Sequence, residues 1–195
     1  MTTQSGSTEK LLYPDPIAMW HYYQNYRSEV FSNAQPRLEY LVSRIKAKSR
    51  QYNQRDISVL NIGVGNGYLE RLVRDAGWRS YSLDLDYAAI RRVSKTGIAG
   101  VAGSIARLPF IDATFDFVVA SEVLEHLTDI ERQRGIAEVR RILKTDGWFL
   151  GTVPYRENLV DNYVFCPRCG NAFHRWGHQS AFDLDSLRGE LSTSL

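Results

Sequence analysis

Asn61-Ile62-Gly63-Val64-Gly65-Asn66-Gly67 is the stretch on which the reading of this chain turns. Before it, residues 57–62 form an apolar run that reads as a buried strand. After it, Leu69, Leu72, Val73 and Ala76 recur at helical spacing and stop at Gly77. Alternating glycines between a strand and a helix let the backbone turn sharply and approach a ligand with no Cβ in the way. The spacing is G-x-G-x-G. A dinucleotide-binding turn needs G-x-G-x-x-G/A, and Tyr68 stands where a small residue permits close helix–strand packing. That argues against a nicotinamide oxidoreductase. Taken alone, the loop can also be read as a plain turn.

Further along, short apolar runs alternate with amphipathic stretches. Strands are expected at 81–85, 98–102, 115–120 and 148–153, and a short helix at 88–95. The run at 115–120 is apolar on both faces, as a central parallel strand should be. Ile130, Ile136, Val139, Ile142 and Leu143 mark a helix that Thr145-Asp146-Gly147 is expected to close. Upstream, helices are expected from about residue 17 and over 36–50. Strand–helix alternation predicts an α/β fold with a doubly wound, mostly parallel sheet and helices on both faces. Ligands of such sheets bind beyond the carboxyl ends of the strands. The chain divides into a loose tail (1–12), a helical cap (13–56), the core (57–154), a Cys/His loop (155–182) and a last helix (183–195).

Composition excludes some classes. The 195 residues suit one ordinary domain, and 44% hydrophobic with 24% charged residues is globular usage. A net charge of +2 does not argue for nucleic acid. Arg44, Lys46, Lys48 and Arg50 alternate beside Leu41, Val42 and Ile45, as on a solvated helix face. No apolar run approaches the ~20 residues of a membrane span, and the polar N-terminus does not resemble a secretion signal. The expected compartment is the cytoplasm.

Asp84 ends the second expected strand, where a carboxylate can accept both hydroxyl protons of a ribose. Asp86 is assigned instead to the cap of the following helix. Then come Gly103-Ser104-Ile105-Ala106-Arg107-Leu108-Pro109-Phe110, Phe115-Asp116-Phe117-Val118-Val119, Val123-Leu124-Glu125-His126, and Arg141-Ile142-Leu143-Lys144-Thr145-Asp146-Gly147. With the glycine loop, these ordered motifs resemble class I S-adenosylmethionine-dependent methyltransferases that act on small molecules, over roughly residues 57–154. The resemblance implies a Rossmann-like fold, S-adenosylmethionine as cofactor and a small-molecule methyl acceptor at oxygen or nitrogen. It places Gly63, Gly65 and Gly67 beneath the methionine part and Asp84 at the ribose, with Leu85 adjoining. Ser104 and Ile105 would flank the adenine, and Ser121 would lie near the sulfonium. Asn61 stands where that family usually has an acid, and Ser104 where it usually has Asp; both remain hydrogen-bonding.

His126 is the candidate base for acceptor deprotonation, or else a structural partner. Cys166, Cys169, His174 and His178 form a C-x2-C-x4-H-x3-H array that reads as a zinc knuckle, with a redox pair or substrate-facing histidines as competing readings. Trp20, Tyr22, Tyr23 and Tyr26 either roof the acceptor pocket or pack an N-terminal helix. The antiparallel hairpin that usually completes such sheets is not expected here, because few residues follow the last helix. A truncated form or a homodimer covering the sheet edge would answer that. The other functional classes considered are a non-catalytic S-adenosylmethionine-binding or regulatory module, and methylation of RNA or protein.

Overall fold

The computed structural model describes residues 16–50, 56–168 and 170–194. The tail at 1–12 and Cys169 lie outside the described residues.

The strand runs read from sequence form one parallel sheet in the order β3-β2-β1-β4-β5, namely β1 (Ser58–Ile62), β2 (Arg79–Asp84), β3 (Ala99–Ala102), β4 (Phe115–Ser121) and β5 (Leu143–Thr152). Side chains alternate across the sheet, so neighbouring residues of one strand enter different cores. Leu60, Ile62, Val118 and Ala120 pack on one face with Val139 and Ile142 of α5 (Asp129–Ile142). On the other face, Val59, Phe117 and Val119 pack with Leu41, Val42 and Ile45 of α2 (Gln35–Ser49) and with Leu69 and Val73 of α3 (Tyr68–Asp75). Burial from both sides explains the near-continuous apolar character of β1 and β4. Strand order reverses between β1 and β4, which opens a crevice at their carboxyl ends.

Helix starts follow their local chemistry. Thr128 and Glu131 form a reciprocal capping box at α5. Asp86 caps α4 (Tyr87–Ser94) by accepting from the Ala88 amide. The N-terminal cap consists of α1 (Pro16–Tyr26), a 3₁₀ segment Ser28–Ala34, and α2. The last helix, α6 (Leu184–Ser194), is pinned to α5 by Arg132, whose Nε donates to Glu190 Oε2 at 2.5 Å.

Two boundaries differ from the sequence expectation. Thr145-Asp146-Gly147 does not close α5, because the helix ends at Ile142 and β5 begins at Leu143. Pairing drives this. Phe115 pairs with Leu143 and Phe117 with Trp148, so the intervening residues leave the register as an irregularity. Lys144 holds it by donating to both carboxylate oxygens of Asp116, at 2.8 and 2.9 Å. The second difference is a hairpin inside the Cys/His segment. There β6 (Tyr163–Phe165) and β7 (Ala172–His174) pair antiparallel as a separate sheet, leaving the main sheet with five parallel strands among the described residues. No helix among them is long and apolar enough to cross a membrane.

Candidate active site

The crevice is built by the loop after β1. Gly63, Gly65 and Gly67 all have positive φ (87°, 54° and 76°), a region open to glycine at little cost. Gly63 N donates to Leu83 O at 2.8 Å, and Gly67 N closes the turn onto Val64 O at 2.9 Å. Asp84, at the end of β2, reaches this loop. Its Oδ2 accepts from the Val64 amide at 2.7 Å and its Oδ1 from the Asp86 amide at 2.8 Å. Burial pushes the Asp84 carboxyl above the usual range, and the Asp86 and Val64 amides only partly offset it. Asp86 differs: burial raises it, but His21, Ala88 and Asn25 outweigh this and hold it below the ordinary value.

Asn61 serves the loop from below. It is buried, and its Nδ2 donates to Gly63 O at 3.0 Å and to Glu70 Oε1 at 2.8 Å. Glu70 is fully buried and also accepts from Ser82 Oγ at 3.0 Å; burial raises its carboxyl above the ordinary value. Sequence reasoning passed over Glu70. The available signal was its place three residues before Val73, on the inward face of α3.

The helical cap lies over the crevice, but the contacts that join it to the glycine loop carry no motif in the sequence. Gln24 Nε2 donates to Asp84 Oδ2 at 3.1 Å, while Gln24 Oε1 is buried without a hydrogen-bond partner. The Phe31 ring lies against Gly65, so a Cβ there would sit 3.2 Å from it. Arg92 fastens the closure, donating to Gly65 O at 2.6 Å and Gln24 O at 3.2 Å. Trp20 is half-buried and meets His126 edge-on at 4.9 Å, and Tyr23 meets Trp176 at 5.3 Å. Tyr22 and Tyr26 are exposed.

The remaining cofactor candidates lie along the same edge. Ser104 Oγ accepts from the Ala106 amide at 3.2 Å, beside buried Ile105. Leu85 is 48% exposed. Ser121, at the end of β4, accepts from Arg37 Nε at 3.0 Å and shares a hydrogen bond with Thr152 Oγ1 at 2.9 Å. Other motif residues act as scaffold. Arg141 donates to Leu108 O, Phe110 O and Asp112, and is clasped by Glu138, so two of the sequence motifs are tied together.

Next to Ser121 stands a cluster of histidines and carboxylates. Glu125 is fully buried, neither carboxylate oxygen has a hydrogen-bond partner, and burial pushes its carboxyl up to about 8. Burial, with His178 nearby, holds the His126 imidazole down to about 4, so it is neutral near pH 7. His126 Nδ1 lies 3.4 Å from Gly177 O, and its ring meets His178 edge-on at 4.7 Å. His178 Nδ1 is 2.5 Å from Glu157 Oε2, and His174 Nε2 approaches Glu157 Oε1 at 3.3 Å without hydrogen-bond alignment. The two histidines of the expected zinc array thus gather around Glu157. Cys166 and Gly170 form a tight turn, with Gly170 N donating to Cys166 O at 2.9 Å, but Cys169 falls outside the described residues.

Residues 60–151 match the methyltransferase domain family. An uncharacterized protein of Methanocaldococcus jannaschii is 29% identical over 143 residues, 73% of this chain and 60% of that one. A probable S-adenosylmethionine-dependent methyltransferase of Mycolicibacterium smegmatis is 36% identical over 100 residues, 50% of this chain and 38% of that one. A structure of 1,6-didemethyltoxoflavin-N1-methyltransferase from Burkholderia thailandensis superimposes with a TM-score of 0.67 at 17% identity, covering 91% of this chain and 73% of that one. That likeness establishes the fold. The chain spans 60% or less of the length of the first two relatives. The family match places the similarity to methyltransferase domains over the sheet and its loops, residues 60–151, and the named relative agrees in kind.

Proposed function

We propose that this chain is an S-adenosylmethionine-dependent methyltransferase acting on oxygen or nitrogen of a small molecule. The observation that carries the reading is the Asp84 carboxylate, 2.7 Å from the Val64 amide in a loop with three positive-φ glycines. A cradle without side chains beside a fixed carboxylate suits a sugar-linked amino acid. Gln24 Oε1, a buried acceptor with no partner, adds a second place for a hydroxyl proton. Asp84 and Gln24 would take the ribose, Ile105 and Ser104 the adenine, and Gly63 to Gly67 the methionine end. When bound, the cofactor would supply an activated methyl on a sulfonium to an acceptor oxygen or nitrogen, which gives up a proton in exchange.

The residues then have limited work: they align, exclude water and receive that proton. His126 meets Trp20 at the inner end of the cap, where an acceptor would be held. A neutral imidazole is the form that accepts a proton, but a pKa near 4 makes His126 a weak base. Positioning is therefore the better reading of its contribution.

A second reading, a non-catalytic S-adenosylmethionine-binding module, draws on the closed cap: Phe31 stands over Gly65 and Gln24 already engages Asp84. Transfer of labelled methyl from the cofactor to a metabolite extract separates the two. An enzyme labels at least one small molecule, and a binder retains affinity without labelling anything.

A further inference from the structure

His126 and His178 share an arrangement found in metal-binding histidines: one ring nitrogen is anchored, and the other is left for a ligand. A carbonyl and a carboxylate only accept, so His126 Nδ1–H donates to Gly177 O and His178 Nδ1–H to Glu157. In a neutral ring so anchored, Nε2 is the nitrogen left for a ligand. Glu125 adds an oxygen donor that is buried with no hydrogen-bond partner, an expensive condition for a polar group. One possible ligand atom from each of Glu125, His126 and His178, an imidazole nitrogen or a carboxylate oxygen, lies within 4.8 Å of the others. Bonds of about 2.0–2.2 Å to a shared ion would draw these donor atoms closer together.

His174 is excluded from the set by its own partners. Its Nδ1 accepts from the Trp176 amide at 3.3 Å and the His178 amide at 3.1 Å. The ring proton is thereby fixed on Nε2, which faces Glu157 and cannot serve as a ligand. Glu157 consequently acts in the outer layer, orienting His178.

We infer that Glu125, His126 and His178 form a site for one divalent transition-metal ion, with Glu157 orienting His178. Two imidazoles and a carboxylate suit Zn2+, Fe2+ or Co2+, and three protein donors leave coordination positions open to water or another oxygen ligand. The site differs from a cysteine-based knuckle in using no sulfur, and it stands independently of the methyltransferase reading.

The test is Co2+ addition to chelator-treated full-length protein, followed by visible absorption and metal analysis. The expected result is one equivalent bound, with weak d–d bands and no thiolate-to-cobalt charge transfer, unchanged in Cys166→Ser. Glu125→Gln, which keeps the shape of the neutral acid, should remain folded by circular dichroism and lose stoichiometric binding. Should that variant misfold, Glu157→Gln gives the same reading through an expected loss of about 10–100-fold in affinity. Absence of stoichiometric binding by the wild type would overturn the site. So would a charge-transfer band that vanishes in Cys166→Ser, or full retention of binding in folded Glu125→Gln or Glu157→Gln.

Discussion

Gln24 and Asp84, sixty positions apart in the chain, are joined by a 3.1 Å hydrogen bond across the mouth of the crevice. The pair makes the N-terminal cap part of the crevice wall rather than a separate appendage. The other amide atom of Gln24, Oε1, is buried and without a partner, which is costly unless something donates to it. A ribose hydroxyl is the donor that the account supplies. Gln24→Leu should therefore weaken S-adenosylmethionine binding about two- to tenfold, the worth of one neutral hydrogen bond. Calorimetry showing unchanged or tighter binding would instead make Gln24 a plug that the cofactor displaces.

Lys144 donates to both oxygens of Asp116, joining β4 to the irregular start of β5. Burial raises the Asp116 carboxyl, but Lys144 and Ser58 outweigh it and hold the group below its ordinary value. Stability from this group is thus present above the unfolded-state value of about 4 and is lost as pH falls through the folded one. Lys144 is partly exposed, so Lys144→Met should cost only about 1 kcal/mol near pH 7. Denaturant unfolding should show the wild-type advantage shrinking towards zero as Asp116 protonates. A gap that stays constant down to acid pH would remove the ion pair from the explanation.

Gly151 is a packing requirement with a clear consequence. It pairs with Ala120, and a Cβ on it would lie 2.7 Å from the Ala120 carbonyl oxygen, closer than any real contact. Backbone cannot step aside as a flexible side chain can. Gly151→Ala should push β5 from β4 and cost about 1–3 kcal/mol or more, seen as a lower Tm. An unchanged Tm would mean that this edge of the sheet is looser than the packing shows.

The sequence was most informative where physics is local. Residues 59–60 and 117–120 are apolar on both faces because helices cover both faces, and that burial can be read from consecutive positions. Asp86 is legible as a cap because capping needs only its own helix. By contrast, Gln24, Phe31 and Arg92 converge on the glycine loop from separate helices and carry no motif. Glu70 looks like an ordinary first-turn acid until folding buries it against Asn61. Thr145-Asp146-Gly147 has the turn chemistry of a helix end, yet pairing of Leu143 with Phe115 draws the strand in earlier. His174 and His178 stood out by spacing to the cysteines, but Glu157, which they share, lies seventeen or more residues upstream and has no such signature.

The most direct test is a calorimetric titration of S-adenosylmethionine into the wild type and Asp84→Ala. A carboxylate fixed by two backbone amides should contribute hydrogen bonds to a ligand worth about 1.5–3 kcal/mol, so affinity should fall roughly ten- to a hundredfold in the variant. Equal affinity in the two proteins, or no binding to the wild type, would contradict the assignment of this crevice to the cofactor.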